Sequence, residues 1–365
     1  MKKRIALILL SAAFLLGAGC SSVLERSYVS ATAHVDYYSV PEDPSILRAD
    51  SYQGLVNSIL YFVETHAVTG TIRLYNYTGD VEADLASACT EILNEDPLGA
   101  YAVRDIRYDT TRIVTYYEIN LSVIYSRSAQ EVEAIQYVTG LTGLRRELGS
   151  AIDVLQSQLT MRISYFSWSE QYLEELFWIA YYSRPLYAQL GVEPVFTLYP
   201  DSGVQRIIEL SVQWPMPRED MLARARQLEE TVAILLEGYP SAGEKYTPAE
   251  LAQLLKSLAV YSLDGSQDPA DALAGAPVDD MGLLLALELL CQEADLDATM
   301  VLGTIGQQRY FWLIVESGAG YRHILPQDLV HLVEGDAEEL VLYTDEMLTQ
   351  LGFVWQTSLY PVCDE

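Results

Sequence analysis

Lysine is almost absent from this chain of 365 residues once its first positions are set aside. Beyond Lys2 and Lys3, only Lys245 and Lys256 remain, and the formal net charge is -29. Nucleic acid and anionic lipid both attract proteins through clustered cations, so a field of this sign repels them. We therefore expect no nucleic-acid partner.

Cysteine is also scarce, with four residues in the whole chain. Cys20 belongs to the N-terminal leader, and Cys89, Cys291 and Cys363 lie far apart in the sequence. An odd number of widely spaced cysteines does not indicate a disulfide framework. Cys89 and Cys291 stand in apolar stretches with helical periodicity, where a thiol packs as a small hydrophobe. A bridge between Cys291 and Cys363 remains open.

The sequence contains no zinc-ligand spacing, phosphate-binding glycine loop or nucleotide fingerprint. The stretch from Asp264 to Asp268 alternates like a calcium loop, but Pro269 replaces the turn glycine and Gly275 replaces the closing glutamate. His34 and His66 stand alone and are interpreted as structural. We expect no cofactor and no metal ion.

The N-terminus has the pattern of an export signal. A basic start at Lys2, Lys3 and Arg4 precedes an apolar run over residues 5–16. The run is shorter than the roughly 20 residues that a membrane-spanning helix needs. We therefore predict a signal peptide over residues 1–19 that is cleaved.

The order Leu16-Gly17-Ala18-Gly19-Cys20 resembles a bacterial lipobox, although Gly17 stands where that motif usually has leucine. The resemblance implies lipid on Cys20, and several acyl chains there form a lasting tether. Residues 20–50 are then a lipidated N-terminus and linker on the extracytoplasmic face of the cell membrane. The alternative is an ordinary cleaved signal with a chance cysteine, and the serines that follow Cys20 favour the anchor.

Residues 51–235 contain the same unit twice, at a spacing of 89 residues. Thr71-Ile-Arg73 matches Thr160-Met-Arg162, and Leu121-Ser-Val123 matches Leu210-Ser-Val212. Apolar periodicity and β-branched runs predict an α-β-α-β-β order for each copy. We assign the copies to residues 51–140 and 141–240, and we interpret the stretch SRSAQEVEAIQYV as a helix that closes the first.

Polar and aromatic residues alternate with apolar ones in the last strand of the first copy. Tyr116, Tyr117, Glu118 and Asn120 are its polar members, and we expect them to line one face of a sheet. One interpretation is a surface that binds a wall glycan or peptide, because tyrosine offers contact area at low entropic cost. The other is that tyrosine simply favours strands.

Residues 241–365 form a third predicted domain, and its centre resembles the bacterial transglutaminase-like family, a relative of papain-type cysteine proteases. The resemblance rests on Gly282, the apolar helix that follows, Glu293-Ala294, Leu296 and Gly303. The tail YTDEMLTQLGFVWQTSLYPVC is similar to the tails of secreted clostridial members. The implied fold is an α+β domain, so the whole chain is predicted to be α+β.

The family uses a thiolate at a helix N-terminus, a histidine beside it and an acid that orients the histidine. By the resemblance these three positions fall on Asp280, Tyr310 and Leu325. We therefore expect a degenerate, non-catalytic domain whose cleft, lined by Asp280, Tyr310, Trp312 and His323, binds a peptide or glycan.

Two other classes of function remain open. The first is a working enzyme, either a cysteine-type transferase or protease that pairs Cys291 or Cys363 with His323 or His331, or a hydrolase that uses Asp280. The second is a scaffold in which the repeats space partners at the cell envelope. A membrane contact through Cys20 and a wall glycan, peptide or envelope protein are the expected partners.

Overall fold

The computed structural model describes residues 44–189, 191–239, 245–318 and 320–364. The predicted leader and the lipidation site at Cys20 lie outside these residues. The chain divides into two compact units, Met1–Leu47 and Arg48–Glu365. The second unit contains residues 51–365, which the sequence assigns to three domains. Apart from Ile46 and Leu47, the architecture below is that of this unit.

The N-terminal part of the fold contains a four-stranded sheet with the strand order β1-β2-β4-β3. Its pairs β2/β4 and β3/β4 are antiparallel. The elements are β1 (Ile46–Ala49), α1 (Tyr52–Glu64), β2 (Thr69–Tyr75), α2 (Val81–Asn94), α3 (Pro97–Ala102), β3 (Val103–Ile113), β4 (Tyr116–Tyr125) and α4 (Ala129–Glu133).

Local sequence explains where these helices begin and how they pack. The carboxylate of Asp80 accepts hydrogen bonds from the first-turn amides of α2, which satisfies donors that have no partner inside the helix. Helix α1 lies on β2 at Gly70, where a Cβ atom would stand 2.4 Å from the Phe62 ring. The inward residues Ile72 and Leu74 are completely buried.

A second four-stranded sheet follows, with the order β5-β6-β8-β7. The elements of this part are β5 (Gln136–Val138), α5 (Gly140–Asp153), β6 (Gln158–Ile163), α6 (Glu170–Tyr182), β7 (Glu193–Tyr199), β8 (Arg206–Gln213) and α7 (Arg218–Gly238). The stretch predicted as one closing helix is instead the short α4 and then β5. A Ser128–Glu131 capping box begins α4. Tyr137 and Val138 form a strand because they pair with β6.

The third part contains a four-stranded antiparallel sheet with the order β13-β12-β11-β14, and a small parallel pair, β9 with β10. Its elements are α8 (Pro248–Leu258), β9 (Val260–Ser266), α9 (Pro269–Leu273), β10 (Pro277–Val278), α10 (Asp280–Glu293), β11 (Ala298–Ile305), β12 (Gln308–Ser317), β13 (Gly320–Ile324), α11 (Pro326–Glu334), α12 (Asp345–Gln350), β14 (Phe353–Trp355) and a 3-10 turn (Thr357–Leu359).

Two hydrophobic clusters organise this third part. The main core contains the apolar residues of α10 and continues without a break into the helices and strands of the second sheet, from Val138 to Leu332. The tail cluster lies on the other face of the third sheet and consists of Val301, Trp312, Ile314, Leu325, Leu348, Phe353, Tyr360 and Cys363. The β12 strand separates the two clusters because its side chains alternate between the faces.

The predicted α+β class is confirmed. Within the part of the chain that the structure describes, no helix combines the length and the apolar character that crossing a membrane requires.

Candidate functional site

Helix α10 carries the position that the resemblance assigns to the nucleophile. Its N-cap is Asp279, whose carboxylate accepts a hydrogen bond from the Gly282 amide at 2.9 Å. Asp280 is the first helical residue, is exposed, and accepts from the Met281 amide at 3.0 Å. Gly282 has no room for a side chain, because a Cβ atom would lie 2.6 Å from the Ser266 carbonyl oxygen.

Strand β12 carries Tyr310 and Trp312, two of the residues predicted to line a cleft. Leu313 and Val315 belong to the main core together with α10, whereas Trp312 belongs to the tail cluster and Tyr310 packs against it. Tyr310 therefore lies on the face of the sheet that points away from α10. Burial raises the pKa of Tyr310 to about 12, with smaller effects from the carboxylates of Asp280 and Asp328.

Leu325 ends the predicted set and forms the N-cap position of α11, inside the tail cluster. Tyr310 and Leu325 thus share one cluster. The negative charge of Asp280 affects the pKa of Tyr310, but Asp280 does not belong to that cluster. Trp312 and His323 are completely buried. An open cleft lined by these two side chains is therefore not present, because the tail packs directly over them.

Trp312 fits under the tail because Gly303 faces it from the neighbouring strand. A Cβ atom at Gly303 would stand 2.4 Å from the Trp312 ring and 2.5 Å from the Val354 carbonyl oxygen. The indole also packs edge-on against Phe353 and Trp355, with ring centroids 5.4 and 5.8 Å away.

His323 lies at the centre of this packing and uses both ring nitrogens. The Trp312 Nε1–H donates to His323 Nδ1 at 2.9 Å, and His323 Nε2 lies 2.8 Å from Asp345 Oδ1. An indole nitrogen can only donate, so Nδ1 must carry the lone pair. In a neutral ring the proton is then on Nε2, which donates it to the Asp345 carboxylate. The hydrogen-bond partners thus assign the tautomer.

Asp345 also holds the C-terminal tail in place. Its backbone amide donates to the Cys363 carbonyl at 2.8 Å, and its Oδ2 accepts from the Cys363 amide at 3.2 Å. Arg322 donates to the Asp364 carbonyl at 2.6 Å. A continuous chain of hydrogen bonds therefore runs from Trp312 through His323 and Asp345 to the tail.

Burial sets the protonation of the groups at the end of this chain. It lowers the pKa of His323, although the neighbouring Asp345 carboxylate opposes the shift. It raises the pKa of Cys363 to about 12, and Asp345 adds to that rise. The imidazole and the thiol are therefore both neutral near pH 7.

The ligand atoms of His323, Asp345 and Cys363 all lie within 4.8 Å of one another, a spacing that invites comparison with a metal site. A metal bound to Nε2 would displace the proton there, and a neutral ring would then carry its proton on Nδ1. That proton would face the Trp312 N–H, so two donors would oppose each other. The cluster therefore does not fit a divalent cation while Trp312 holds its position.

The remaining thiols are also buried. Cys89, Cys291 and Cys363 are all free, so the bridge between Cys291 and Cys363 that the sequence left open is not formed. Cys291 is completely buried, and burial strongly raises its pKa. His331, unlike the three thiols, is exposed, and it lies 3.8 Å from Asp336.

Two features of the site were missed by reasoning from the sequence. Asp345 lies in an ordinary acidic helix start after Thr344, and nothing in the sequence connects it to His323. Glu288 sits in the middle of α10 and is completely buried; its Oε1 lies 3.4 Å from the Gln292 amide nitrogen, while its Oε2 has no hydrogen-bond partner. A glutamate in the middle of an otherwise apolar helical stretch is unusual, and this feature could have been recognised in the sequence.

A cavity of about 150 Å³ lies between α6, β11 and the tail. Its lining comprises Tyr172, Glu175, Leu176, Ile179, Leu302, Gln356, Leu359 and Tyr360. None of the residues predicted to form a cleft takes part.

Comparison of the sequence with protein-family models gives no match, and no curated protein sequence matches it significantly.

Proposed function

We propose that this protein is a lipid-anchored extracytoplasmic protein that binds or scaffolds partners at the cell envelope and performs no thiol chemistry. The observation that carries this proposal is the state of His323, whose two ring nitrogens are both engaged, one by Trp312 and one by Asp345. A general base needs a free lone pair within reach of the proton it removes. His323 has none to offer to Cys363.

The positions that resemble the transglutaminase-like family support the same proposal. An aspartate, a tyrosine and a leucine stand at Asp280, Tyr310 and Leu325. Cys291, on the same helix as Asp280, is sealed in the main core. In this proposal the third part of the chain is a degenerate member of that family, retained for its shape.

The first two sheets support a tandem repeat as the frame of the scaffold. Their strand orders correspond, β1-β2-β4-β3 and β5-β6-β8-β7, and the corresponding elements are about 89 residues apart. The pairing agrees as well, since Thr71 lies opposite Asn120 and Thr160 lies opposite Glu209. We name these parts the first module (residues 46–133) and the second module (residues 136–238).

Contacts between the modules favour a rigid arrangement. Arg127 donates to Glu209 at 2.7 Å, and its guanidinium lies 4.9 Å from the Tyr101 ring centroid. Tyr101 packs edge-on against Tyr199. The outer face of the second sheet is therefore occupied by the first module, while the main core joins the second module to the third part.

The outer face of the first sheet is the surface that we assign to binding. Arg73 pairs with Glu118 at 2.9 Å, and Thr71 donates to Asn120 at 3.1 Å. Tyr116 lies on the same face, whereas the neighbouring Tyr117 lies on the opposite one, since it pairs with the buried Leu74. A polar face with an aromatic ring suits a wall glycan.

Binding is tested with purified wall fragments. The protein should sediment with insoluble peptidoglycan, and replacing Tyr116 and Arg73 by alanine should reduce the bound fraction at least about threefold, since each contact of this kind contributes about 0.5–1 kcal/mol. Replacing the exposed Tyr165, which lies outside this face, is the matched control. If the Tyr116 and Arg73 variant bound as well as the Tyr165 control, the assignment of this surface to binding would be wrong.

A second candidate, a cysteine-type transferase or protease, is favoured by one observation, the closeness of Cys363 to His323. Iodoacetamide labelling of the native protein distinguishes the two. A non-catalytic Cys363 should react at least about a hundredfold more slowly than an unfolded cysteine, because the thiolate is the nucleophile and burial disfavours it. Rapid labelling of Cys363 that His323→Gln abolishes would establish the enzyme instead.

A further inference from the structure

The outer edge of the first sheet is formed by β3, a long strand of 11 residues. One side of β3 pairs with β4, and no described residue pairs with the other. Such an edge presents a row of backbone donors and acceptors that can pair with another strand.

The corresponding edge of the second sheet is protected in a way that β3 is not. Its outer strand, β7, has seven residues, contains Pro194 and is followed directly by Pro200. Proline lacks the N–H that strand pairing needs, so it blunts an edge. Strand β3 contains no proline, and its register shift lies at the very start, between Val103 and Asp105.

The charges along β3 are complementary to those of a second copy in one register. When two β3 strands run antiparallel and overlap over their whole length, Val103 lies opposite Ile113 and Tyr108 lies on the two-fold axis. Arg107 then lies opposite Asp109 of the second copy, and the symmetry repeats the pair. Both residues are on the outer face, because they alternate with the inward-facing Ile106.

Neighbouring registers of the same symmetry are opposed by charge. Moving the axis from Tyr108 to Arg107 places two arginines opposite each other and Asp105 opposite Asp109. Moving it to Asp109 places two aspartates opposite each other. Like charges in directly opposite positions destabilise a strand pair, so the sequence of β3 selects one register.

The side chains that would meet are available. The Asp109 side chain has no hydrogen bond or ion pair with any described residue, and Tyr108 is 39% exposed. Among the residues that the structure describes, the Arg107 side chain bonds only to Asp105, in an exposed pair at 3.0 Å. The one like-charge pair of this register, Arg104 with Arg112, is relieved because Arg104 lies at the register shift and Arg112 lies 5.7 Å from the Tyr117 ring centroid.

We propose that the protein forms a two-fold dimer in which β3 pairs antiparallel with β3 of a second copy, joining two four-stranded sheets into one. The occupant of the edge is a second copy because the strand is complementary to itself. This dimer does not depend on the glycan-binding surface. Attachment to a membrane would favour it by raising the local concentration of the chain.

Charge reversal tests the register. Sedimentation velocity of the full chain in detergent, over a range of concentrations, should show a monomer–dimer equilibrium. Arg107→Asp and Asp109→Arg should each weaken the dimer by about tenfold or more, since each converts two opposite-charge pairs into like-charge pairs. The double variant with both changes should restore the affinity to within about threefold, because it swaps the charges. Thermal unfolding of each variant shows whether the fold is intact.

Disulfide trapping gives a second readout. Tyr108→Cys should form an intermolecular disulfide under mild oxidation, because residues on the axis of an antiparallel pair lie within bridging distance. Val114→Cys is the matched control, since Val114 is 97% exposed but lies beyond the end of β3. A chain that stays monomeric throughout, a dimer that tolerates single reversals, or equal trapping of both cysteines would overturn the proposal.

Discussion

At the scale of single residues, His323 shows how its neighbours decide what an imidazole can do. A histidine beside a carboxylate is a common catalytic arrangement, in which the second ring nitrogen is free to act as a base. Here the Trp312 N–H occupies that nitrogen. The same ring that would be a base in an open cleft therefore acts as a structural link between β13 and the tail.

This link predicts an effect of Trp312 on the titration of His323. In Trp312→Phe the donor facing Nδ1 is removed, so this nitrogen is free to bind a proton and the pKa of His323 should rise. Loss of the indole should also reduce the free energy of unfolding by about 1–3 kcal/mol, through the cavity it leaves. NMR titration of the imidazole carbon-bound protons measures the shift. The exposed His331 is the internal control, and an unchanged His323 titration would contradict the assigned tautomer.

The lowered pKa of His323 also sets the sign of the acid response. The unfolded chain takes up the proton at about pH 6.5, before the folded chain does. The part of the stability due to neutral His323 is thus fully present above about pH 6.5 and is lost as the pH falls through the lowered folded value. Urea unfolding between pH 7.5 and 5 should show this loss of stability. In the His323→Gln variant, the part of the pH dependence that comes from His323 should be absent.

Glu288 is the other residue whose burial has a measurable consequence. Desolvation raises its pKa well above the ordinary value, although a hydrogen bond from the Met300 backbone and the positive charge of Arg184 oppose the shift. A raised folded pKa stabilises the protein below the unfolded value of about 4.3, and this stability is lost as the pH rises through the folded value.

We therefore expect Glu288→Gln to flatten the pH dependence of stability. Its free energy of unfolding should exceed that of the parent by about 1–3 kcal/mol at pH 8, because the buried carboxylate is removed, and by much less at pH 5. Urea unfolding at both pH values measures the difference. The exposed Glu339→Gln is the matched control. A gain that is the same at pH 5 and pH 8 would exclude ionisation of Glu288 as the cause.

At the scale of elements, α10 depends on a close approach at its first turn. The Gly282 backbone lies against the Ser266 carbonyl and the Val278 side chain, so the helix meets β9 and β10 without a side chain between them. This contact sets the depth at which α10 enters the main core. The glycine is therefore required by packing, since its φ angle is an ordinary helical one.

Gly282→Ala should lower the free energy of unfolding by about 2–4 kcal/mol, because the methyl group would overlap the Ser266 carbonyl oxygen, which accepts a hydrogen bond from the Asp279 amide. Gly238→Ala, at the end of α7, is the matched control. No atom lies within 4 Å of the Cβ position there, and alanine is the better helix former, so this variant should be neutral or more stable by up to about 1 kcal/mol. Equal effects in chemical denaturation would contradict the tight contact.

At the scale of the whole molecule, the partly buried ion pair of Arg127 with Glu209 joins the two modules. Side chains at a junction of this kind are shielded from solvent by the surrounding rings, here Tyr101 and Tyr199. Shielding makes the pair more sensitive to the loss of one partner than an exposed pair would be.

A double-mutant cycle on Arg127→Met and Glu209→Gln should give a coupling energy of about 1–2 kcal/mol in urea unfolding. Each single change should weaken the contact between the first and second modules, so the backbone amides of α3 should exchange their hydrogens faster than in the parent protein. The pair of Arg146 and Glu147, whose arginine is exposed, is the control and should couple by less than about 0.5 kcal/mol. Additive effects at Arg127 and Glu209 would mean that the modules are held by other contacts.

Much of the element pattern was predictable from local sequence. Helices α1, α2, α5 and α6 lie in stretches with apolar periodicity, a signal that acts within a few residues. The exception, the stretch now divided between α4 and β5, changed because β5 gains its strand form from pairing with β6. Pairing with a distant strand leaves no mark in a short window of sequence.

The candidate site was less predictable. His323 and Cys363 were named from the sequence, but Asp345 was not, and Trp312 was expected in a cleft rather than in a packed cluster. A residue's face and burial depend on which elements cover it, and the tail that covers Trp312 and His323 comes from the end of the chain. The hydrogen bonds from Trp312 through His323 and Asp345 to Cys363 form only when the tail packs against the third sheet.

The sequence by itself determined the α+β class, the apolar helical stretches, and the residue types at Asp280, Tyr310 and Leu325, because these depend on local patterns and on identity. The tertiary structure decided which nitrogen of His323 carries the proton, which thiols are sealed, and which strand edge stays open. Those properties arise from groups that are distant along the chain and meet only when the sheets and the tail pack together.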